Sequence, residues 1–244
     1  MIRRRTAELM DDPAVDHASH VQALRALIRV NRWLGVDRSL ARGVHRVAGD
    51  GDVSVLDLGT GGGGFLAYLA QSDRRSPVPH DLSSIIRRRL LRIGLDRSEF
   101  ALSCAEAWHP DALRGLVGDA RKIPLGDDSI DIVTCSLFLH HFDAPDAIKI
   151  LSEAARVARR GIVIGDLSRS RLAWIVTWLA TRLLSSSRLF HVDGPRSVAA
   201  AYRANELSDL AREAGLSSAR VERRFPFRLI LTWRKSPASK AVST

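Results

Sequence analysis

The spacing of hydrophobic residues along the chain changes near residue 50. Before that point, apolar residues recur at helical spacing with arginines between them, at Leu24, Leu27, Ile28, Leu34, Leu40 and Val44. This spacing predicts helices within residues 1–48. Beyond a turn at residues 49–52, short apolar runs alternate with helical stretches, which is the pattern of a parallel sheet with helices on both faces.

Five of these apolar runs are predicted strands, over residues 53–58, 89–95, 115–118, 130–135 and 161–165. A helix is predicted over residues 144–160, and residues 219–224 and 227–233 form a predicted antiparallel hairpin around Pro226. The predicted fold class is therefore α/β, a Rossmann-like, mostly parallel sheet of seven strands. We expect an N-terminal helical cap at residues 1–48, one domain at 49–235 and a flexible tail at 236–244.

Polar and glycine residues follow the predicted strands. Residues 59–64 form a glycine loop between the first strand and a helix, and the candidate residues at the strand ends are Asp57, Gly59, Thr60, Gly61, Gly63, Asp96, Asp119, Ser136, His140, His141 and Asp166. Ligands of open α/β sheets bind beyond the carboxyl ends of the strands. We therefore expect these side chains to converge on one ligand, although Asp166 is equally a candidate helix cap.

The glycine loop also fits a dinucleotide fingerprint, but a loop so rich in glycine fits many patterns. The charge beside the loop separates the alternatives. Asp57 precedes the first glycine by two residues, and a carboxylate at that point suits a ligand with a cationic head, such as an amino-acid ammonium, better than a pyrophosphate.

Four segments in order then resemble the motifs of class I S-adenosylmethionine-dependent methyltransferases. They are 55–63 (Val-Leu-Asp-Leu-Gly-Thr-Gly-Gly-Gly), 94–98, 118–125 and 128–133. The following segment 136–142, Ser-Leu-Phe-Leu-His-His-Phe, is similar to the ubiquinone- and menaquinone-biosynthesis-like branch and related small-molecule methyltransferases. The resemblance covers about residues 50–235 and implies the class I methyltransferase fold, with S-adenosyl-L-methionine as the cofactor.

The resemblance also implies roles for single residues. Residues 57–63 would hold the methionine and ribose portions of the cofactor, and Ser136 would line its methionine end. Asp96, with Arg97 beside it, would accept hydrogen bonds from the ribose hydroxyls. Asp119 would accept from the adenine amine while Ala120 donates its backbone N–H. Asp81 is an alternative to Asp96, because its offset from Asp57 is closer to the usual spacing.

The prolines at positions 77 and 79 argue against a central strand before Asp81, and this favours Asp96. His140 or His141 is the candidate base if the methyl acceptor is a phenol, an enol or an acidic carbon. His191 and Asp193 are further candidates. No metal site is predicted.

The apolar segment 172–180, with its two tryptophans, is a candidate cover over the acceptor, and Trp33 is a candidate lining residue from the opposite side. This predicts a hydrophobic small-molecule acceptor, such as a quinone precursor or a polyketide phenol, methylated on oxygen or carbon. Core packing and shallow membrane contact are the alternatives for this segment.

Composition adds further limits. The net charge of +10 keeps an RNA methyltransferase as an alternative, but the arginines are scattered and no RNA-reading motif accompanies them. The glycine pattern keeps an NAD(P)-dependent oxidoreductase as another, and a non-catalytic binding module is a third. No apolar run is long enough to span a membrane. Two cysteines fit a reducing compartment, so we expect a cytoplasmic protein. The sequence predicts no particular oligomeric state.

Overall fold

The computed structural model describes residues 1–11, 15–49, 53–74, 92–184 and 188–236. Within them, the strands are β1 Val55–Leu58, β2 Arg92–Asp96, β3 Arg114–Val117, β4 Ile130–Ser136, β5 Ala158–Leu167, β6 Arg220–Arg224 and β7 Arg228–Arg234. They form one sheet in the order β3-β2-β1-β4-β5-β7-β6. Strands β1 to β5 run parallel, and β7 runs antiparallel to both of its neighbours. The predicted fold class, with its C-terminal hairpin, is confirmed.

The helices are α1 His17–Trp33, α2 Val36–Ala48, α3 Gly64–Arg74, α4 Glu99–Trp108, α5 Ala144–Val157, α6 Arg171–Leu184, α7 Arg188–Ala200 and α8 Ala204–Glu213. Side-chain caps explain where α1 and α4 begin. Asp16 accepts a hydrogen bond from the backbone N–H of Ser19, and Ser98 accepts one from that of Ala101. The prediction of helix across residues 1–48 is wrong for residues 1–8, which form no helix and are held by backbone and arginine hydrogen bonds to other elements.

The core lies on both faces of the sheet, because successive side chains of a strand point to opposite faces. Ile132 and Val163 belong to the cluster that packs against α2 and α3. Val133 and Ile164 belong to the cluster that packs against α5 and α8. All four are almost completely buried, so the central strands are hydrophobic without interruption, as expected for strands covered on both sides.

Strand β5 is longer than predicted and changes the interpretation of Asp166. The strand runs from Ala158 to Leu167, so Asp166 lies within it, paired in register with Leu229. The expectation that Asp166 follows the strand is therefore wrong, and so is the alternative that it caps a helix. Strand β2 was predicted to begin at residue 89, and residues 89–91, the alternative ligand Asp81 and residues 237–244 of the predicted tail lie outside the described residues.

The strand order reverses between β1 and β4. The chain passes outward from β1 to β2 and β3, and then returns to lay β4 on the other side of β1. The connections on the two sides diverge at this point, which leaves a crevice at the carboxyl ends of β1 and β4. The glycine loop after β1 and the histidine pair after β4 face each other across it.

Candidate active site

The glycine loop joins β1 to α3 in a conformation that needs its glycines. Gly59 and Gly61 have φ angles of +65° and +50°, in the left-handed region that side chains disfavour. A Cβ atom on Gly59 would lie 2.2 Å from the ring of Phe138. The backbone N–H groups of Gly59 and Thr60 both donate to the carbonyl of Leu95, at 2.8 and 3.2 Å, which fixes the loop against β2.

One cavity of about 920 Å³ lies above this loop. The predicted site residues that line it are Asp57, Gly59, Thr60, Gly61, Asp96, Arg97, Asp119, Ala120, Ser136, His140 and His141. The structure thus brings together the acidic residues that end β1 and β2 and the one that follows β3. Gly63 is not among the lining residues; a Cβ there would lie 2.5 Å from Leu113, so this glycine serves core packing.

Asp96 and Asp119 are held in place by neighbouring donors. The Asp96 carboxylate accepts hydrogen bonds from the backbone N–H groups of Gly61 (2.9 Å) and Ser98 (3.0 Å). Asp119 accepts from the backbone and the guanidinium of Arg121, and this ion pair lowers the pKa of Asp119 to about 2. Arg121 also donates to Asp146 at 2.9 Å. Both cavity carboxylates therefore have fixed orientations, and Asp119 is ionised at neutral pH.

A second acidic pair, Asp37 and Asp57, lies buried in the same cavity wall, each with 2% of its surface exposed. Burial raises the pKa of Asp57 to about 7, although Thr134 donates to its carboxylate at 2.8 Å. Burial likewise raises the pKa of Asp37 to about 6, and the Arg32 guanidinium 3.9 Å away offsets this only in part. Within the described residues, Oδ2 of Asp37 has no hydrogen-bond partner.

Such a pair favours a cationic ligand, because a positive group between two buried carboxylates would compensate their lost hydration. Sequence reasoning identified Asp57 but missed Asp37. The available signal was one acidic residue at Asp37 beside Val36 and three residues before Leu40, on the apolar face of a predicted helix.

The second polar region of the cavity is a cluster around His140, which is 3% exposed. Its Nδ1 lies 2.7 Å from Oδ1 of Asp166, and its backbone N–H donates to Oδ2 of the same carboxylate. Its Nε2 lies 3.5 Å from Oε1 of Glu8. Burial opposes the charged ring, but Asp166 and Glu8 outweigh it and raise the pKa of His140 to about 10. His140 is therefore an imidazolium at neutral pH and not a free base.

Glu8 also approaches the second histidine. Its Oε2 lies 3.9 Å from Nε2 of His141, and its Oε1 accepts a hydrogen bond from Ser197. Burial alone would raise the pKa of Glu8, but the hydrogen bonds of His140 and Ser197 lower it below its usual value. Glu8 is thus a buried carboxylate facing both histidines, and nothing in the local sequence around it indicated this position.

The segment that carries Glu8 is tied down at both ends. The Arg3 guanidinium donates to the carbonyls of Phe142 (2.6 Å) and His140 (3.1 Å). The backbone N–H groups of Leu9 and Met10 donate to the carboxylate of Asp193, at 2.8 and 3.0 Å. Asp193, a further candidate from the sequence, therefore anchors the backbone beside Glu8.

Glu8, His140 and His141 also form the one group in the described part of the chain whose ligand atoms could surround a metal ion, since these atoms lie within 4.8 Å of one another. A metal ligand must be a neutral imidazole. Asp166 and Glu8 stabilise the protonated ring of His140, and a protonated ring does not bind a metal ion.

Apolar side chains form part of the remaining cavity wall. From α1 these are Leu24, Ile28 and Trp33, as predicted for Trp33. Leu24 and Ile28 lie against the glycine loop. From α6 the wall includes Val176 and the smaller side chains of Thr177 and Ala180, which belong to the predicted cover segment. The cavity thus combines the carboxylates at the glycine loop, the histidine cluster and apolar side chains of α1 and α6.

Comparisons with known proteins agree with this geometry. Residues 56–164 match the family model described as "Methyltransferase domain". The match confirms the methyltransferase predicted from the sequence motifs and opposes the oxidoreductase alternative, while it does not single out the ubiquinone-like branch. A search of the curated proteins finds no match to this chain.

Several solved structures share the fold. A SAM-dependent methyltransferase from Aquifex aeolicus aligns with a TM-score of 0.59 at 19% identity, over 90% of this chain and 98% of that one. An O-methyltransferase family protein from Burkholderia thailandensis gives 0.60 at 17%, over 88% of this chain and 59% of that one. A magnesium protoporphyrin IX methyltransferase from Synechocystis, with bound SAM, gives 0.52 at 16%, over 92% and 100%. At these identities the likeness is one of fold.

Proposed function

We propose that this chain, a class I S-adenosylmethionine-dependent methyltransferase with its family domain at residues 56–164, methylates a hydrophobic small molecule that carries a phenol or an enol. The observation that carries the proposal is the single cavity in which carboxylates, a buried imidazolium and an apolar wall meet. The resemblance to the ubiquinone-like branch stays a prediction within this proposal.

The carboxylate end fits the cofactor. When bound, S-adenosylmethionine supplies a methyl group on a positively charged sulfur. Asp37 and Asp57 would bind its ammonium group, since their buried carboxylates favour a cation. Asp96 would accept from the ribose hydroxyls and Asp119 from the adenine amine, where charge-assisted hydrogen bonds are strong. Holding the methyl carbon in line with the acceptor oxygen is the main catalytic contribution that the protein can make.

The histidine cluster fits an acidic hydroxyl. Both ring nitrogens of His140 face carboxylates, those of Asp166 and Glu8, so His140 would hold Glu8 in place beside His141 and would not act on the hydroxyl itself. His141 lines the cavity and is the candidate that accepts the proton. Glu8 would orient His141 and stabilise the imidazolium that forms there.

Residues 1–48 take part in the same site and would act as a cap on residues 49–235. Glu8 comes from the segment before α1, Asp37 from α2, and an apolar wall from α1. Both Cys104 and Cys135 are free thiols in the structure, which supports work in the reducing cytoplasm.

The test is methyl transfer from isotopically labelled S-adenosylmethionine to paired phenols that differ only in an alkyl chain. We expect label in the phenol product, with a higher kcat/KM for the alkylated member of each pair. The His45→Ala variant, which changes an exposed histidine on α2, is the matched control for His141→Ala. Binding of S-adenosylhomocysteine without label transfer to any phenol or enol would contradict the proposed acceptor class.

The net charge of +10 supports RNA as a second candidate acceptor. Its test is the same assay with bulk RNA. Label in RNA that falls steeply with added salt, together with no label in phenols, would favour this candidate.

A further inference from the structure

Helix α6 carries a row of large apolar side chains that project into solvent. Leu172, Ile175, Leu179 and Leu183 are 60%, 55%, 50% and 74% exposed. Their spacing of three or four residues puts them on one face of the helix. Val176, 42% exposed, lies at the edge of this face and also reaches the cavity. A contiguous apolar row of this kind on a protein surface marks a contact with another molecule or with a membrane.

The flank of this row combines tryptophan with arginine. Trp174 and Trp178 are 38% and 40% exposed. The Arg182 guanidinium lies 4.1 Å from the centre of the Trp178 ring, and Arg171 stands exposed at the other end of the helix. Tryptophan and arginine on the border of an apolar face are typical of helices that lie at the boundary between lipid headgroups and acyl chains.

The opposite face of the same helix belongs to the cavity. Thr177, Ala180 and Thr181 line it, and Thr181 is 2% exposed. Helix α6 therefore lies between the exposed apolar row and the cavity. Anything bound to the outer face lies about one helix diameter, roughly 10 Å, from the cavity.

We propose that α6 is a docking helix that places the exposed row Leu172–Leu183 into the surface of an anionic lipid bilayer. The proposal of docking at the bilayer surface is based only on the exposed row and its arginines. Delivery of a lipid-soluble acceptor from the bilayer into the cavity also rests on the proposed function. Among the described helices, none has both the length and the apolar composition of a membrane-spanning segment.

Charge favours a bilayer over a second copy of the chain. The protein carries a net charge of +10, the side chains of Arg171 and Arg182 are exposed on α6, and that of Arg188 is exposed at the start of α7. A symmetric pairing through α6 would bring these like charges of two copies together and leave them unpaired. Anionic headgroups would instead neutralise them, since basic residues near such a surface are attracted to it.

Sedimentation with lipid vesicles tests the docking directly. The vesicles are either pure phosphatidylcholine or a mixture of phosphatidylcholine with phosphatidylglycerol. We expect the intact protein to bind the anionic vesicles, to bind the neutral ones at least tenfold more weakly, and to show a blue shift of tryptophan emission on binding. The variant Leu179→Glu/Leu183→Glu should bind anionic vesicles at least tenfold more weakly, since it places two carboxylates in the acyl region.

The matched control is Arg212→Glu. It changes the net charge by the same amount as the double variant, but on α8 at a side chain that is 68% exposed. We expect it to retain most of the vesicle binding. Circular dichroism and S-adenosylhomocysteine binding should be unchanged in both variants, so a loss of vesicle binding is distinguishable from a failure of the methyltransferase site.

Three results would overturn the proposal. The first is equal vesicle binding by the double variant and the intact protein. The second is no binding of the intact protein to anionic vesicles. The third is a dimer of the intact protein that the double variant dissociates in sedimentation velocity, because a second copy would then occupy the row.

Discussion

Replacing Asp57 by asparagine should make the protein more stable and its cofactor binding weaker. The Asp57 carboxylate is buried against Thr134, and burial raises its pKa from an ordinary 3.8 to about 7. An acid with a raised pKa binds its proton more tightly in the folded state. Its contribution to folding is therefore fully present below pH 4 and is lost as the pH rises through about 7. Asparagine has a similar shape, can accept the Thr134 hydrogen bond and has no charge to bury.

The size of the effect follows from the pKa shift. A rise from 3.8 to about 7 at Asp57 corresponds to an upper limit of roughly 4 kcal/mol at pH 8, at about 1.4 kcal/mol per unit. For a chain of this length each kcal/mol moves Tm by about 2–4 °C, so Asp57→Asn should raise Tm by up to about 8–16 °C. Charged hydrogen bonds are stronger than neutral ones, so S-adenosylhomocysteine should bind roughly 10- to 100-fold more weakly.

Thermal unfolding without cofactor at pH 5 and pH 8, with calorimetric titration of S-adenosylhomocysteine, measures both effects. The gain in Tm should be large at pH 8 and smaller at pH 5. Asp131→Asn is the control, because Ser54 and two arginines outweigh the burial of that carboxylate and hold its pKa below the usual value. That variant should lose stability and keep its cofactor affinity. A Tm below that of the intact protein for Asp57→Asn, or an unchanged cofactor affinity, would refute the reasoning.

The other predictions concern the histidine cluster. Asp166→Asn should cost about 3–5 kcal/mol in denaturant unfolding, because it leaves the buried His140 charge with one carboxylate fewer, whereas Asp209→Asn at an exposed site should cost nothing measurable. His140 stabilises the fold fully below its ordinary pKa of 6.5 and loses this contribution as the pH rises through about 10. The free energy of unfolding of His140→Gln should therefore change less with pH on the alkaline side than that of the intact protein. His141→Ala should lower kcat by about 10²- to 10⁴-fold at unchanged cofactor affinity, and full activity would remove it from the mechanism. Dialysis against EDTA should leave activity intact, because a proton occupies the position that a metal at Glu8 would need; activity restored only by a divalent ion would contradict this.

The sheet and the carboxylate-rich part of the cavity could be predicted from sequence because both depend on local order. Asp57 and Asp96 lie at the ends of β1 and β2, Asp119 follows β3 by two residues, and parallel strands bring their ends to one edge. Asp57, Asp96 and Asp119 therefore line one cavity.

The histidine cluster could be predicted only in part, because its partners come from distant parts of the chain. Glu8 reaches His140 from the segment before α1, and Asp166 reaches it from inside β5. Neither carboxylate lies in a motif, and the apolar residues within 1–8 do not recur at a regular spacing. The sequence also did not predict that α6 lies at the surface, because its apolar composition suits a core helix and a surface helix alike.

The bound segment that contains Glu8 also bears on how the enzyme would lose activity on warming. Polar contacts hold it, among them those of Arg3 with two carbonyls, of the Leu9 and Met10 amides with Asp193, and of Glu8 with Ser197. Such a strap can detach without disturbing the sheet, since local opening needs less free energy than global unfolding. Heat inactivation would then precede melting, and it would be reversible on cooling, because the scaffold to which residues 3–10 return stays folded.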